Sequence, residues 1–143
     1  EKERAYKGVF MIPIYRAKSN ERKNIYVEGL LIGVDEELNL CTIRTKDDYI
    51  GGEVCYLHTL SINFPDMLDR KGNKIFASLQ EDGKGGDKFL FDNEIFIIWF
   101  DNQSLKINAT NKDNFECNCH DSLQEWYDFE NKCYDLKTIG IQQ

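Results

Sequence analysis

Short apolar runs broken by polar turns recur along this 143-residue chain. The first, "VFMIPIYRAK" at 9–18, contains Pro13, whose missing N–H removes a ladder donor and points to a sheet edge or a bulge. The polar stretch "SNERKN" turns the chain, and "IYVEGLLIGV" at 25–34 brings it back. The two runs read as a hairpin, with Gly29 marking a bend or bulge in the second. A third strand follows in "NLCTIRT", where Cys41 and Ile43 share a face. After the loop "KDDYIGGE", the run "VCYLHTLSI" at 54–62 sets Cys55, Leu57 and Thr59 against Val54, Tyr56 and His58 on alternate faces.

The second half continues in the same style. A short helical turn is predicted around "PDMLD", then a turn in "DRKGNKIF" at 69–76, where Gly72 and Asn73 tolerate left-handed backbone angles. A polar, glycine-rich loop at 80–88 leads into "FLFDNEIFIIWFDNQSLKINAT". There "DN" at 92–93 and "DNQS" at 101–104 separate three strand-like pieces, which is the signal of a meander. The one departure is "HDSLQEWYDFENKCYD" at 120–135, where Leu123, Trp126, Tyr127 and Glu130 fall at helical spacing and Asp121 or Ser122 is available as an N-cap. A short amphipathic C-terminal helix lying on the sheet is predicted here, with "LKTIGIQQ" as a final strand.

Composition narrows this picture. The length suits one domain with a sizeable core, and 41% hydrophobic with 30% charged residues is ordinary for a globular chain. Two prolines, 13% aromatic content and scattered β-branched residues favour strands over a helical bundle. The longest apolar run, "IFIIWF" at 95–100, falls far short of the roughly 20 residues a membrane helix needs. The first residues, "EKERAYKG", carry no apolar signal region, and five irregularly spaced cysteines give no disulfide framework and suit a reducing cytosol. Net charge is −7 and uneven: residues 1–32 hold seven basic and four acidic groups, whereas 110–135 hold two and seven. An acidic tail can complement a basic surface, including the channel of a nucleic-acid enzyme.

Candidate chemistry is sparse. "CNCH" at 117–120 with Cys133 downstream offers zinc-type donors in Cys117, Cys119, His120 and Cys133, but the paired-ligand spacing of structural zinc sites is absent, and no metal or cofactor is predicted. "EDGKGGD" is neither an EF-hand nor a phosphate-binding loop and reads as a hairpin loop. No Gly-x-Ser-x-Gly elbow is present, and neither His58 nor His120 has a motif that assigns it as a base. Lys7, Arg16, Lys18, Arg22 and Lys23 form the basic part of an alternative, a small nucleic-acid-binding module using exposed aromatics.

Taken in order, several segments resemble the YopX family of small phage and prophage proteins. Tyr15, Arg16 and Ala17 match its aromatic-Arg-Ala start, and Tyr26, Val27, Gly29, Leu31 and Ile32 its second strand. Leu68, Asp69, Gly72, Ile75 and Phe76 represent its central signature, with Met67 where glycine is usual. Gly86 and Asp87 stand for its Gly-Asp pair after the intervening "ASLQEDGKG", and Ile139, Gly140 and Ile141 for part of its closing pattern. The resemblance implies a single, mainly β domain over 1–143: antiparallel hairpins in an N-terminal sheet (1–62), then a small SH3-like barrel with the short helix (63–143). It also implies a phage or mobile-element setting in the host cytoplasm. In that setting the expected role is a non-enzymatic inhibitor that binds a host protein, such as a nuclease or other antiviral defence effector, in the manner of an anti-CRISPR. Asp121, Glu125, Trp126, Tyr127, Asp128 and Glu130 are the candidate protein-binding residues.

Overall fold

The computed structural model describes residues 12–45, 51–115 and 120–143. Lys7, the loop residues 46–50, Cys117 and Cys119 lie outside the described residues.

The N-terminal hairpin forms as its pattern predicts. β1 (Ile14–Lys18) begins directly after Pro13, where a missing donor does least harm, and pairs antiparallel with β2 (Tyr26–Asp35), Tyr15 opposite Gly29. The turn between them is set by Ser19, whose hydroxyl accepts the N–H groups of Glu21 and Arg22 at 3.0 and 2.9 Å. Gly29 is required by a close approach, since a Cβ there would stand 2.1 Å from the carbonyl oxygen of Arg44. The bulge lies further on, between Leu31 and Gly33 in the pairing of β2 with β3 (Leu40–Arg44).

The run read as one strand over 54–62 is broken in two. β4 (Glu53–Tyr56) pairs with β3, a 3-10 turn spans Leu57–Thr59, and β5 (Ser61–Asn63) crosses to pair with β1. Thr59 supplies the physical reason. Its hydroxyl donates to the Tyr56 carbonyl at 2.7 Å and accepts the Lys18 N–H at 2.8 Å, giving the backbone a local alternative to the ladder. Around "PDMLD" the chain makes a β-turn, with the Met67 N–H on the Phe64 carbonyl at 3.1 Å, in place of a helical turn.

β6 (Ala77–Ser78) pairs with β5 and, through Ser78 opposite Trp99, runs parallel to the later strand β8. The meander is present as β7 (Asp87–Phe91), β8 (Glu94–Asp101) and β9 (Lys106–Asn111). Asp92 and Asn93 join β7 to β8 at φ 52° and 64°, the two positive angles that a two-residue hairpin turn demands. β10 (Asp121–Ser122) pairs antiparallel with β9, β11 (Tyr127–Asp128) pairs with β12 (Cys133–Tyr134), and β13 (Thr138–Ile141) pairs with β7. The main sheet runs β10-β9-β8-β6-β5-β1-β2-β3-β4, with β7 and β13 alongside β8.

Two expectations need correction. The SH3-like barrel does not close: among the described residues no ladder joins the ends of the sheet. Curling is instead strongest in the N-terminal half, where Ser19 bridges Cys55 and the Asn20 N–H reaches the Val54 carbonyl at 2.8 Å. The C-terminal helix is absent as well, and only Leu123–Trp126 coils, as a 3-10 turn capped by Ser122. Beyond Trp126, Tyr127 pairs with Tyr134, and the Asp128 carboxylate captures the N–H groups of Glu130 and Asn131 at 3.0 and 3.2 Å. Those bonds close a turn where a helix would continue.

Two buried clusters form the core. Ala17, Val27, Cys41, Ile43, Cys55 and Leu60 fill the curled N-terminal part, and a larger group around Ile75, Phe89 and Ile98 lies under the meander. Tyr15 and Leu79 pack against both.

Arg16 crosses between these halves. Its guanidinium meets Asp87 Oδ1 at 2.9 Å, donates to the Gly85 carbonyl at 2.8 Å and lies 4.4 Å from the centre of the Phe76 ring. Asp87 Oδ2 in turn accepts the Phe76 N–H at 2.8 Å. Burial pushes the Asp87 carboxyl up, against the pull of Arg16 and the Phe76 N–H, so the pair holds position at an energetic cost. Asp87→Ala leaves the guanidinium buried without its partner and is expected to destabilise by about 3–5 kcal/mol. The double variant Arg16→Met/Asp87→Leu is expected to recover most of that loss. Urea denaturation of wild type and the two variants measures both, and a double variant no more stable than Asp87→Ala would show that the loss does not come from an unpaired buried charge.

Asp69 fixes the turn at 69–73 and the last strand together. Oδ1 accepts the N–H groups of Lys71 and Asn73, both at 2.9 Å, while Oδ2 accepts from Thr138 Oγ1 at 3.1 Å and its N–H at 3.3 Å. Burial raises this carboxyl, but the donors of Asn73, Thr138 and Lys71 together outweigh it and hold it below its ordinary range. A depressed folded-state value stabilises above the unfolded value near about pH 4 and loses that contribution as pH falls through the folded one. Asp69→Asn turns one acceptor into a donor facing N–H groups, so a loss of about 2–3 kcal/mol at pH 7 is expected. Denaturation curves from pH 7 to pH 3 should show the gap between variant and wild type narrowing with acid. A constant gap would contradict the ionised role.

Candidate acidic docking groove

The C-terminal segment lies across the turn end of the β7–β8 hairpin because aromatic rings meet there. Phe89 and Phe91 are two residues apart on β7 and share a face, and Phe96 of β8 stands opposite Phe89. Trp126 settles among them, its centroid 5.3 Å from Phe89, 5.5 Å from Phe91 and 5.7 Å from Phe96. The Phe91 ring meets the indole edge-on at 90° yet stays about half exposed, at 51%. Behind Trp126, Tyr127 stacks edge-on with Phe129 and Tyr134 at 4.8 and 4.9 Å.

These rings floor a groove of about 560 Å³ lined by Phe91, Phe96, Trp126 and Tyr127, with Asp121, Glu125, Asp128 and Asp135 as its acidic members. Among the described residues, no lysine or arginine lines it. Arg70 comes within 3.8 Å of Asp135 with both side chains largely exposed, an arrangement that contributes little. Asp128 is held ionised: the Asn131 side-chain amide at 2.7 Å, then the backbone N–H groups of Asn131 and Glu130, pull its carboxyl below the ordinary range. Asp121 and Glu125 are exposed. The surface continues past Asp128 and Asp135 into a second hollow of about 390 Å³ that includes Lys132 and Cys133.

Five of the six residues singled out from the sequence therefore converge on one groove, although no helix presents them. Glu130 lies outside the lining. Phe91, Phe96 and Asp135 were missed. Strand alternation through Phe89 and Phe91 carries the signal for the first, since the second phenylalanine must share the face of the first at the exposed hairpin end.

Other candidates fall elsewhere. His58 Nδ1 pairs with the Asn39 side-chain amide at 2.7 Å, and its ring lies 5.6 Å from Tyr56. His120 Nδ1 pairs with Thr110 Oγ1 at 2.8 Å, which also accepts the Trp99 indole N–H at 2.8 Å. Cys133 is half-buried with a free thiol, and among the described residues no three His, Cys, Asp or Glu side chains gather in a metal-holding group. The basic set is dispersed: Arg16 is buried on Asp87, and Arg22 forks onto Glu53 at 2.9 and 2.7 Å. Lys18 is half-buried and Lys23 exposed. No described helix is long and apolar enough to cross a membrane. No family model, curated protein or solved structure matches this chain.

Proposed function

We propose that this protein is a non-enzymatic binder that occupies a host protein and blocks it, using the acidic aromatic groove as its docking face. The observation that supports this most is the pairing of a partly open aromatic floor, where Phe91 is exposed and Trp126 and Tyr127 are half-buried, with four carboxylates and, among the described residues, no lining cation. A basic partner surface complements it electrostatically, and a lysine or arginine side chain can settle against Trp126 or Phe91 with the rim carboxylates around it. Enzymes that process nucleic acid carry such basic surfaces because they bind phosphate, and that makes a nuclease of antiviral defence a fitting target. The YopX resemblance supplies the phage setting and, with it, the host cytoplasm as the place of action.

The same residues weigh against direct nucleic-acid binding. Two of the five cations that reading needs are tied up in ion pairs, Arg16 with Asp87 and Arg22 with Glu53. Four carboxylates line the groove instead.

Affinity purification from bacterial host lysate, followed by titration of the purified partner, tests the proposal. Trp126→Ala and Glu125→Arg are each expected to weaken the purified complex at least about tenfold with the fold preserved by circular dichroism. Equal affinity of wild type and both variants would remove the groove from the interaction. Tight, steeply salt-dependent binding of a labelled single-stranded oligonucleotide would replace the proposal with the nucleic-acid module.

A further inference from the structure

Cys41 of β3 and Cys55 of β4 stand directly opposite each other in register. Both are enclosed in the N-terminal core, 2% and 0% exposed, and neither thiol is bonded to another. The ladder type at this pair follows from its neighbour. The Leu57 N–H donates to the Asn39 carbonyl at 3.0 Å, so Asn39 and Leu57 form a hydrogen-bonded pair, and two residues along Cys41 and Cys55 form another. Opposed residues of that kind have Cα atoms about 5.5 Å apart, within the range of about 4.4–6.8 Å that a disulfide spans.

We propose that Cys41 and Cys55 are a site of reversible thiol–disulfide exchange, closed into a cross-strand disulfide by a small-molecule disulfide of the glutathione class. The Cys55 thiolate attacks one sulfur of the small disulfide, whose S–S bond breaks to release one glutathione thiol. Cys41 then attacks the mixed disulfide at the Cys55 sulfur, forming the Cys41–Cys55 bond and releasing the second glutathione. Two protein thiols are oxidised, one small disulfide is reduced to two thiols, and protons balance.

Access comes through β4. This strand ends the sheet, with β3 on one side and, among the described residues, the Ser19–Cys55 bridge and the Asn20–Val54 bond as its backbone contacts on the other. The Glu53 carboxylate clasps it to the hairpin turn by accepting from Ser19 Oγ and from Arg22. Burial pushes the Cys41 thiol up to about 11, and burial first, then the neighbouring Cys41, pushes Cys55 up to about 12. In the closed strand both are therefore neutral and slow to react, and exchange waits on release of the Arg22–Glu53 clasp.

The full chain is incubated with oxidised glutathione, its remaining thiols are alkylated, and tryptic peptides are read by mass spectrometry. Cleavage after Lys23, Arg44, Lys46 and Arg70 separates the two cysteines onto peptides 24–44 and 47–70. The expected product joins these peptides at about 2 Da below their summed mass and separates again on reduction. Arg22→Ala, a change at an exposed side chain, is expected to speed formation several-fold. Cys41 and Cys55 that are both alkylated in wild type and in Arg22→Ala, or a product that stops at glutathione on Cys55, would overturn the proposal.

Discussion

A buried guanidinium ties the N-terminal hairpin to the chain that leads into the meander, alongside the ladder between β1 and β5. Arg16 sits in the middle of β1, and its partners Phe76, Gly85 and Asp87 come from a region some 60 to 70 residues further on. A planar fork suits this place better than an ammonium would, because it donates in two directions in one plane while its face covers an aromatic ring. The approach also requires glycine: a Cβ on Gly85 would lie 2.1 Å from the Thr59 carbonyl oxygen, and one on Gly86 2.2 Å from that of Ile98. Charge and backbone therefore specify one another. Among the described residues Arg16 Nε finds no hydrogen-bond partner, so the site carries a desolvation cost on burial. Its value lies in fixing which strands meet more than in net stability.

Once that crossing is made, the meander has a fixed edge and the C-terminal segment a surface to lie on. Asp69 ties the 69–73 turn to Thr138, and β13 runs beside β7, so the strand carrying Phe89 and Phe91 is held on both edges. Trp126 can then pack against a rigid aromatic floor with a 3-10 turn of only four residues behind it. The groove is thus a consequence of sheet geometry, and its floor is more rigid than a loop-borne site would be.

Much of this was legible in the chain. Asp92-Asn93 between alternating apolar runs announces a tight hairpin, and the turn has the two positive φ angles such a dipeptide favours. Pro13, the Gly72 turn and the three meander strands follow from equally local rules. What failed was non-local or competitive. Arg16 looks like a solvated hairpin cation until Asp87, 71 residues away, is placed beside it. Leu123 and Trp126 are three apart, a spacing that serves a 3-10 turn as well as an α-helix, and Asp128 then draws the chain into a turn through its own carboxylate. Four residues that carry the YopX resemblance, Arg16, Asp69, Phe76 and Asp87, prove to be the polar joints and ring contacts of this fold. Turn and ion-pair constraints are sufficient physical reasons for them, without any catalytic demand.

The charge of the groove is set by two kinds of carboxylate: Asp128 is held below its ordinary range by its own turn, and Asp121, Glu125 and Asp135 are exposed. Asp87, whose carboxyl burial raises on balance, is sealed against Arg16 away from the groove. Under the proposed docking, such a surface would contribute in two separable ways: its field would raise the encounter rate with a basic partner and weaken with salt, whereas the rings of Phe91 and Trp126 would slow dissociation through desolvated contact that salt hardly touches. A partner that is merely cationic, lacking a side chain shaped to enter between the rings, would gain only the first.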